Sequence, residues 1–153
     1  PCPGPKFDYK LQWMDRLYER AADIILSEQT AIILGDYNVI PQKEDAANPT
    51  LWLDDALYHY ETRSRFRRLL NLGFTDAFRT LYPTEKAFTF WDYQRGSWQK
   101  NNGVRIDHAL LSPQAADRLE SCEIDSHLRG EEKPSDHVPI WIKIKEDGYR
   151  GDS

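Results

Sequence analysis

Hydrophobic positions in the first part of the chain follow two different spacings, which predict a helix and then a strand. Apolar residues recur every three to four positions over Phe7–Glu28, and this spacing predicts a helix with Asp8 as its N-cap. The uninterrupted apolar run Ala31–Leu34 predicts a buried strand that is covered on both faces and bounded by Gly35-Asp36. The first predicted unit is therefore a helix followed by a strand.

Residues 37–60 lack a regular period, and helical spacing returns after them. Within this irregular segment a short helix is predicted over Thr50–Leu57. A longer helix is predicted over Glu61–Leu72, where Gly73 ends it at the C′ position. A further helical turn is predicted over Thr75–Leu81.

Strand-like patterns, rich in aromatic and β-branched residues, dominate the last part of the chain. Four strands are predicted there: Ala87–Tyr93, Val104–Leu111, Cys122–His127 and Val138–Ile144. The first two are expected to form a loose hairpin, and a short helix over Pro113–Glu120, capped by Ser112, follows them. This order of elements indicates an α/β layered sandwich with a mixed sheet.

Composition narrows the class of protein without assigning a function. The chain has 153 residues, 40% of them hydrophobic, which suits one packed domain. No apolar run approaches the ~20 residues of a membrane helix and no segment resembles a secretion signal, so no membrane partner is expected. The formal net charge of −5 argues against a dedicated basic nucleic-acid binder, but it leaves open a nuclease, whose metal-binding carboxylates make its site acidic.

The two cysteines, Cys2 and Cys122, lie far apart and show no zinc-ligand spacing. Two free thiols in a reducing, cytoplasmic location are expected, although a disulfide between them stays open. The cysteine pattern therefore argues against a zinc site.

A first polar cluster, Gly35-Asp36-Tyr37-Asn38, follows the most apolar strand, where ligand sites of α/β sheets are common. Asp36 can orient or deprotonate a water, and Asn38 can bind an anionic oxygen. Gly, Asp and Asn are also turn formers. On these four residues alone, an ordinary turn is the better interpretation.

A second candidate is Asp107, which lies within an apolar strand and therefore needs a partner. That partner is a histidine or a metal, or else Arg105, which shares its strand face by alternation. Its neighbour His108 points to the opposite face and is expected to be structural. The other isolated histidines, His59 and His127, are expected at the surface.

A third cluster, Pro134-Ser135-Asp136-His137, precedes the last strand and combines a metal ligand with a general acid or base. Taken together, the clusters allow Asp107 to orient His137 while Asp36 and Asp136 lie beside a divalent cation. Oxygen ligands without cysteine favour Mg²⁺ or Mn²⁺. Such a site suits phosphodiester hydrolysis.

Two further patterns are compatible with a nucleic-acid substrate. Glu61–Arg68 carries four arginines against one glutamate, although a solvated helix face is the more economical interpretation. An aromatic segment contributes Phe88, Phe90, Trp91 and Tyr93. One face of it is expected in the core, and the other can stack on a base. On pattern alone, core packing is favoured for both faces.

Five segments occur in the order and spacing of a known family: Gly35-Asp36-Tyr37-Asn38, Thr75-Asp76-Ala77-Phe78-Arg79, Thr89-Phe90-Trp91-Asp92-Tyr93, Arg105-Ile106-Asp107 and Ser135-Asp136-His137. The chain resembles the exonuclease III type of the endonuclease/exonuclease/phosphatase superfamily from about Lys6 to Ile144. The first and last segments mark the whole superfamily, whereas the aromatic and Asp107 segments narrow the resemblance to its DNA-repair branch. The resemblance implies a Mg²⁺-dependent hydrolase that trims 3′ ends and cuts at abasic sites in double-stranded DNA.

The resemblance also implies a role for each site residue. Asp36 activates or positions the attacking water, and Asn38 steadies the phosphate. Asp107 pairs with His137, which contacts the scissile phosphate. The implied metal-site residues are Asp36, Asn38 and Asp136, and the implied DNA contacts are Phe90 and Trp91. Val104 stands where relatives often carry a larger residue wedged into the DNA.

The family fold is a four-layered αββα sandwich with mixed sheets, and the resemblance covers only its C-terminal half. Residues 1–145 are expected to form that half, with a polar tail over residues 146–153. A metal-binding Glu, an Asn and a Tyr of the family's N-terminal half have no counterpart here. The isolated chain is therefore expected to be inactive and to need a partner half or to self-associate. Alternatives are a phosphatase or RNA-acting member, or a non-catalytic DNA- or partner-binding module.

Overall fold

Two small antiparallel sheets organise the chain in a computed structural model that describes residues 4–94 and 96–146. The helices are α1 (Pro5–Leu26), α2 (Tyr60–Leu72), α3 (Ala77–Leu81) and α4 (Pro113–Ala116). The strands are β1 (Ile32–Asp36), β2 (Thr75–Asp76), β3 (Asp107–Leu111), β4 (Leu119–Ile124) and β5 (Ile140–Ile144). Short 3₁₀ turns lie at Lys43–Asp45, Pro49–Trp52, Ala56–Tyr58 and Ser126–Gly130. Among the helices described, none is both long and apolar enough to cross a membrane.

The first sheet has the strand order β1-β3-β2, and the second consists of β4 and β5. The α/β class predicted from the sequence is confirmed, while the pairings between the strands described are all antiparallel. Strand β3 is central, and its register with β1 runs from Ile32 opposite Leu111 to Asp36 opposite Asp107. This register brings two carboxylates to the same end of the sheet.

Alternation along β3 divides the core into two parts. Leu110 faces α1 and α2 and packs with Met14, Tyr37, Phe66 and Leu69. Ala109 and Leu111 face the second sheet and pack with Phe78, Ala115, Cys122, Ile140 and Ile142. The described chain is thus layered as helices, first sheet and second sheet, and the fourth layer stays a prediction.

Strand β1 was predicted to be covered on both faces, but only one face is covered. Ile33 packs against the helices, but Leu34 on the opposite face is 52% exposed. The reason is that β1 is an edge strand, and the two-stranded second sheet packs against β3 instead of reaching across to it.

Helix boundaries follow local caps. Helix α1 begins at Pro5 with Gly4 as its N-cap. Asp8 lies in the first turn, so the prediction that Asp8 is the N-cap is wrong. Proline suits that first position because an N–H there would have no intrahelical partner, so nothing is lost when proline lacks it. Helix α2 matches its prediction closely and ends at Gly73, whose φ of 126° favours glycine.

Several shorter predictions change in the folded chain. The predicted turn over Thr75–Leu81 splits into β2 and α3, because the Asp76 carboxylate caps α3 by accepting from the Arg79 amide. The helix predicted over Thr50–Leu57 is replaced by two 3₁₀ turns. Helix α4 ends at Ala116 because the chain pairs as β4 from Leu119, three residues before the predicted strand.

The predicted hairpin of Ala87–Tyr93 and Val104–Leu111 is reduced to single bridges. Phe90 pairs once with Val104 and once with His137. A regular ladder does not form because the amides of Ile106 and Asp107 donate to the Thr89 hydroxyl instead of to a strand carbonyl. The last predicted strand begins at Ile140, directly after Pro139, which has no N–H to give to a ladder.

Candidate active site

An aspartate–histidine pair forms the centre of the site. Asp107 is the first residue of β3, and His137 lies in the loop before β5. Nδ1 of His137 is 2.9 Å from one Asp107 carboxylate oxygen and 3.2 Å from the other. Since Nδ1–H donates to this carboxylate, the second ring nitrogen, Nε2, is left to face Asp36 at 3.6 Å. The predicted Asp107–His137 partnership is therefore present.

Asp36 completes a group of three at the end of β1. Ligand atoms of Asp36, Asp107 and His137 all lie within 4.8 Å of one another. The Asp36 side chain is 38% exposed, and its Oδ1 accepts the Asn38 amide at 2.9 Å. Burial and the charge of Asp107 raise the pKa of Asp36, and together they outweigh the Asn38 amide, His137 and Lys10, which lower it. Such a carboxylate is suited to receive a proton from water.

The Asp107 carboxylate also sets the protonation of His137. Burial alone lowers the pKa of the His137 imidazole. The hydrogen bond and charge of Asp107, followed by the charges of Asp36 and Asp136, outweigh burial, so the pKa is raised above its ordinary value. A larger fraction of the ring is then cationic near neutral pH, which suits contact with an anionic oxygen.

Asn38 sits in the turn after β1 with a φ of 51°, in the left-handed region that asparagine tolerates. Its carbonyl accepts a hydrogen bond from the Lys10 ammonium of α1, which also contacts the Ala56 carbonyl at 3.4 Å. The exposed Asn38 thus lies beside Asp36 with its backbone held from the helix layer. Its role toward a phosphate stays a prediction.

Asp136 lies next to the group but not in it. It is half-buried, its carbonyl accepts the Trp91 amide at 3.0 Å, and its charge contributes to the raised pKa of His137. Among the described residues, the cluster suited to a cation contains Asp36, Asp107 and His137. The metal roles predicted for Asp136 and Asn38 therefore remain predictions.

The donor set fits a hard divalent cation. Asp36 and Asp107 supply carboxylate oxygens, the ligand type that Mg²⁺ and Mn²⁺ prefer. The two carboxylates also repel each other, since the charge of Asp107 is one cause of the raised pKa of Asp36. A cation between them would relieve this repulsion.

The two aromatic residues predicted to contact DNA differ in access. Phe90 is half-buried, and its ring centroid lies 5.0 Å from that of His137. Trp91 is only 2% exposed, packs edge-on against Trp98 and donates its indole N–H to Asn101. Of these two residues, Phe90 can present part of its ring to a ligand and Trp91 cannot. Val104 is fully buried and therefore does not reach the surface as a wedge.

The possible ion pair between Arg105 and Asp107 does not form. Arg105 is buried, donates to Asp45 at 2.7 Å and holds Asp76 through two nitrogens at 2.9 and 3.1 Å. Arg105 precedes β3, so strand alternation does not govern its direction. Burial lowers the pKa of Arg105, but Asp76 and Asp45 outweigh it and raise the pKa. The sequence did not reveal Asp45 and Asp76 as the partners of Arg105, because nothing in their local sequence marks them as such.

His108 is structural, as predicted. Its Nε2 lies 2.9 Å from the Val39 carbonyl, and its Nδ1 lies 3.2 Å from the Arg105 guanidinium. Nε2 therefore donates and Nδ1 accepts, which is the neutral form. Burial and the Arg105 charge lower the pKa of His108 to about 4.

The remaining candidates from the sequence lie outside the site. Arg65 of the arginine-rich helix pairs with Asp15 at 3.0 Å and with Glu61 at 2.8 Å, in keeping with a solvated helix face. His59 is only half-exposed and caps α2, whereas His127 is exposed as predicted. Cys122 is a buried free thiol, and Cys2 lies outside the described residues.

Comparison with known proteins places this geometry in a family. The model of the Endonuclease/Exonuclease/phosphatase family matches residues 1–137. An exodeoxyribonuclease of Bacillus subtilis is 32% identical over 140 residues, which cover 91% of this chain and 54% of the relative.

Two solved structures have the same fold. An AP endonuclease from Archaeoglobus fulgidus superposes with a TM-score of 0.88 at 34% identity, covering 95% of this chain and 57% of that one. The 3′ phosphatase NExo from Neisseria, bound to a product DNA hairpin, gives 0.89 at 34% identity, covering 94% and 56%. The chain thus spans about half the length of these relatives. By its family match and its fold, the chain belongs to the Endonuclease/Exonuclease/phosphatase family.

Proposed function

We propose that this chain carries part of the active site of a metal-dependent DNA-repair nuclease, a 3′→5′ exodeoxyribonuclease and abasic-site endonuclease. The observation that carries the proposal is the Asp107–His137 pair facing Asp36 where β1 and β3 end together. The names of the relatives, an exodeoxyribonuclease and an AP endonuclease, support it.

Each side chain has a task in hydrolysis of a phosphodiester. Asp36 orients the attacking water and takes its proton, since its raised pKa makes the carboxylate a better base. His137, fixed by Asp107, presents Nε2–H to a phosphate oxygen, and the Asn38 amide binds a second oxygen. A Mg²⁺ or Mn²⁺ ion held by the acidic group, when bound, neutralises charge that develops on the phosphate.

Double-stranded DNA is the proposed substrate. The Neisseria relative was solved with a DNA hairpin, and Phe90 beside His137 supplies an aromatic surface at the reacting group. The net charge of −5 does not oppose this substrate, because several of the counted carboxylates belong to the site. We propose a cytoplasmic location for this repair activity.

A second candidate is removal of a 3′ phosphate from DNA, which the phosphatase relative suggests. Both reactions attack phosphorus and break its bond to a 3′ oxygen, and they differ in whether that phosphorus also carries the 5′ oxygen of a second nucleotide. A third candidate concerns the chain by itself, a DNA- or partner-binding module that does not cut, because it spans about half of its relatives.

The test compares cleavage of an abasic duplex, a 3′-recessed duplex and a 3′-phosphorylated duplex with Mg²⁺. It uses the 153-residue chain and any longer polypeptide that contains it. Asp36→Asn and His137→Asn should each lower turnover by roughly 10²-fold or more, as loss of a general base or a charge-stabilising group does. The exposed His127→Asn variant is the matched control and should cleave normally.

Normal turnover by Asp36→Asn or His137→Asn would overturn the proposal. Release of phosphate without strand cleavage would favour the phosphatase. Binding of the duplex without any cleavage, by every polypeptide tested, would favour the non-catalytic module.

A further inference from the structure

Thr89 lies fully buried between the two segments that carry the aspartate–histidine pair, the start of β3 and the loop before β5. Its hydroxyl oxygen accepts the amide of Asp107 at 3.2 Å and that of Ile106 at 3.0 Å. Its carbonyl accepts the amide of Val138, the residue after His137, at 2.9 Å. Thr89 is therefore hydrogen-bonded to the backbone of Asp107 and to the backbone of the residue that follows His137.

The Thr89 hydroxyl oxygen accepts hydrogen bonds from strand amides, which in a regular sheet would go to backbone carbonyls. A threonine hydroxyl has two acceptor lone pairs, and the two amides use both of them. The two amides lie where β3 begins, since Ile106 precedes the strand and the ladder with β1 ends at Asp107. The start of β3, and with it the Asp107 carboxylate, is consequently held by a side chain.

The histidine side is held by the same short segment. The Thr89 carbonyl accepts the Val138 amide, and Phe90 forms a β-bridge with His137. The Trp91 amide donates to the Asp136 carbonyl at 3.0 Å. Residues 89–91 therefore contact each of residues 136–138 in turn. The buried Arg129 in turn holds this segment by donating to the Trp91 carbonyl.

We propose that Thr89 is a positioning residue, whose hydroxyl and carbonyl together set the separation of Asp107 and His137. Thr89 does not touch the substrate; it acts through the pair. Its importance for turnover rests on the proposed function, whereas its effect on the geometry of the pair does not.

The experiment follows the pair directly by NMR at one pH, without metal. Thr89→Val keeps the shape but removes the acceptor, and Thr89→Ser keeps the acceptor. In Thr89→Val the Asp107 and Ile106 amides should exchange roughly tenfold faster or more, since each loses its bond. The Nδ1–H resonance of His137 should also move or vanish, as is expected of a reference Asp107→Asn variant, while Thr89→Ser should keep the parent signals.

Thr62→Val is the matched control. Thr62 is also fully buried, but its hydroxyl donates to the Ala56 carbonyl at 2.8 Å, away from the pair. It should cost stability and leave the His137 resonance unchanged. If Thr89→Val does not fold, Thr89→Ser is compared with Thr89→Cys, whose sulfur accepts weakly, and the His137 signal should then differ between the two.

A parent-like His137 resonance in folded Thr89→Val, or identical signals in the serine and cysteine variants, would overturn the inference. Turnover provides a separate measurement. Thr89→Val should lower kcat with little change in KM, and Thr89→Ser should restore it. A changed His137 signal in a protein that cuts no DNA would count against the proposed function alone.

Discussion

Asp36 and Asp107 stand directly opposite each other in the antiparallel register of β1 and β3. The register places both carboxylates at one end of the sheet, where the loop carrying His137 meets them. Three segments far apart in the chain thus contribute one acidic group with a histidine inside it. The two negative carboxylates around His137 lead to the first two predictions.

Replacing Asp107 by Asn should lower the pKa of His137. Burial, which lowers this pKa, remains in the variant, while the hydrogen bond to a charged acceptor that raises it is lost. A pH titration of the ring by NMR measures the change. The NMR signals of the exposed His127 should be the same in both proteins and serve as the control. An unmoved His137 midpoint would contradict the prediction.

Manganese should bind at the acidic group. Mn²⁺ is paramagnetic, so low concentrations should broaden the NMR signals of Asp36, Asp107 and His137 before others, since these residues form the cluster of ligand atoms. Asp36→Asn should weaken the effect. Glu28 is an exposed carboxylate before the opposite end of β1, and Glu28→Gln should leave the broadening unchanged. Equal broadening in both variants would argue against a site at Asp36.

Stability should fall as the pH is lowered from about 6.5 to about 4. His108 has a folded pKa of about 4 and an ordinary value near 6.5. The unfolded chain therefore binds a proton there while the folded chain does not. That difference amounts to about 3 kcal/mol once the pH reaches 4. The raised pKa of His137 works in the opposite direction, because its contribution is full at low pH and is lost as the pH rises.

Urea unfolding across this pH range isolates the contribution of His108. His108→Gln offers a donor for Val39 and an acceptor for Arg105 but does not titrate. The variant should therefore lose less stability between pH 6.5 and pH 4. Parallel curves for the two proteins would show that His108 is not the cause.

Arg105→Met should destabilise the fold by about 3–5 kcal/mol, because it leaves the buried Asp76 without its cationic partner and the buried Asp45 with Arg79 alone. Burial alone raises the pKa of Asp76, and Arg105 is the main reason that it is lowered instead. Urea unfolding at pH 7 measures the loss. Arg65→Met is the matched control; its pairs lie in the helix layer near solvent, so it should cost about 1 kcal/mol or less. Equal losses in the two variants would contradict the buried-network interpretation.

Local periodicity predicted α1 and α2 within a few residues, because a helix is built from neighbours in sequence. The predicted strand over Ala87–Tyr93 failed for a tertiary reason. Its bonds go partly through the Thr89 side chain to residues 106 and 107, and no period-two pattern reveals that arrangement. The exposure of Leu34 likewise depends on how far the second sheet extends.

The sequence by itself determined the two long helices α1 and α2, the α/β class and the family, since these depend on local spacing and on short segments in a set order. It also marked Asp36, Asp107 and His137 as candidates. The residues alone left a histidine, a metal or Arg105 open as the partner of Asp107, and the family resemblance pointed to His137. The tertiary structure decided between them: Asp107 bonds to His137, 30 residues away, while Arg105, two residues away, turns to Asp45 and Asp76. The physical reason is burial: a buried charge takes the partner that the packed chain brings within hydrogen-bond distance, not the one nearest in sequence.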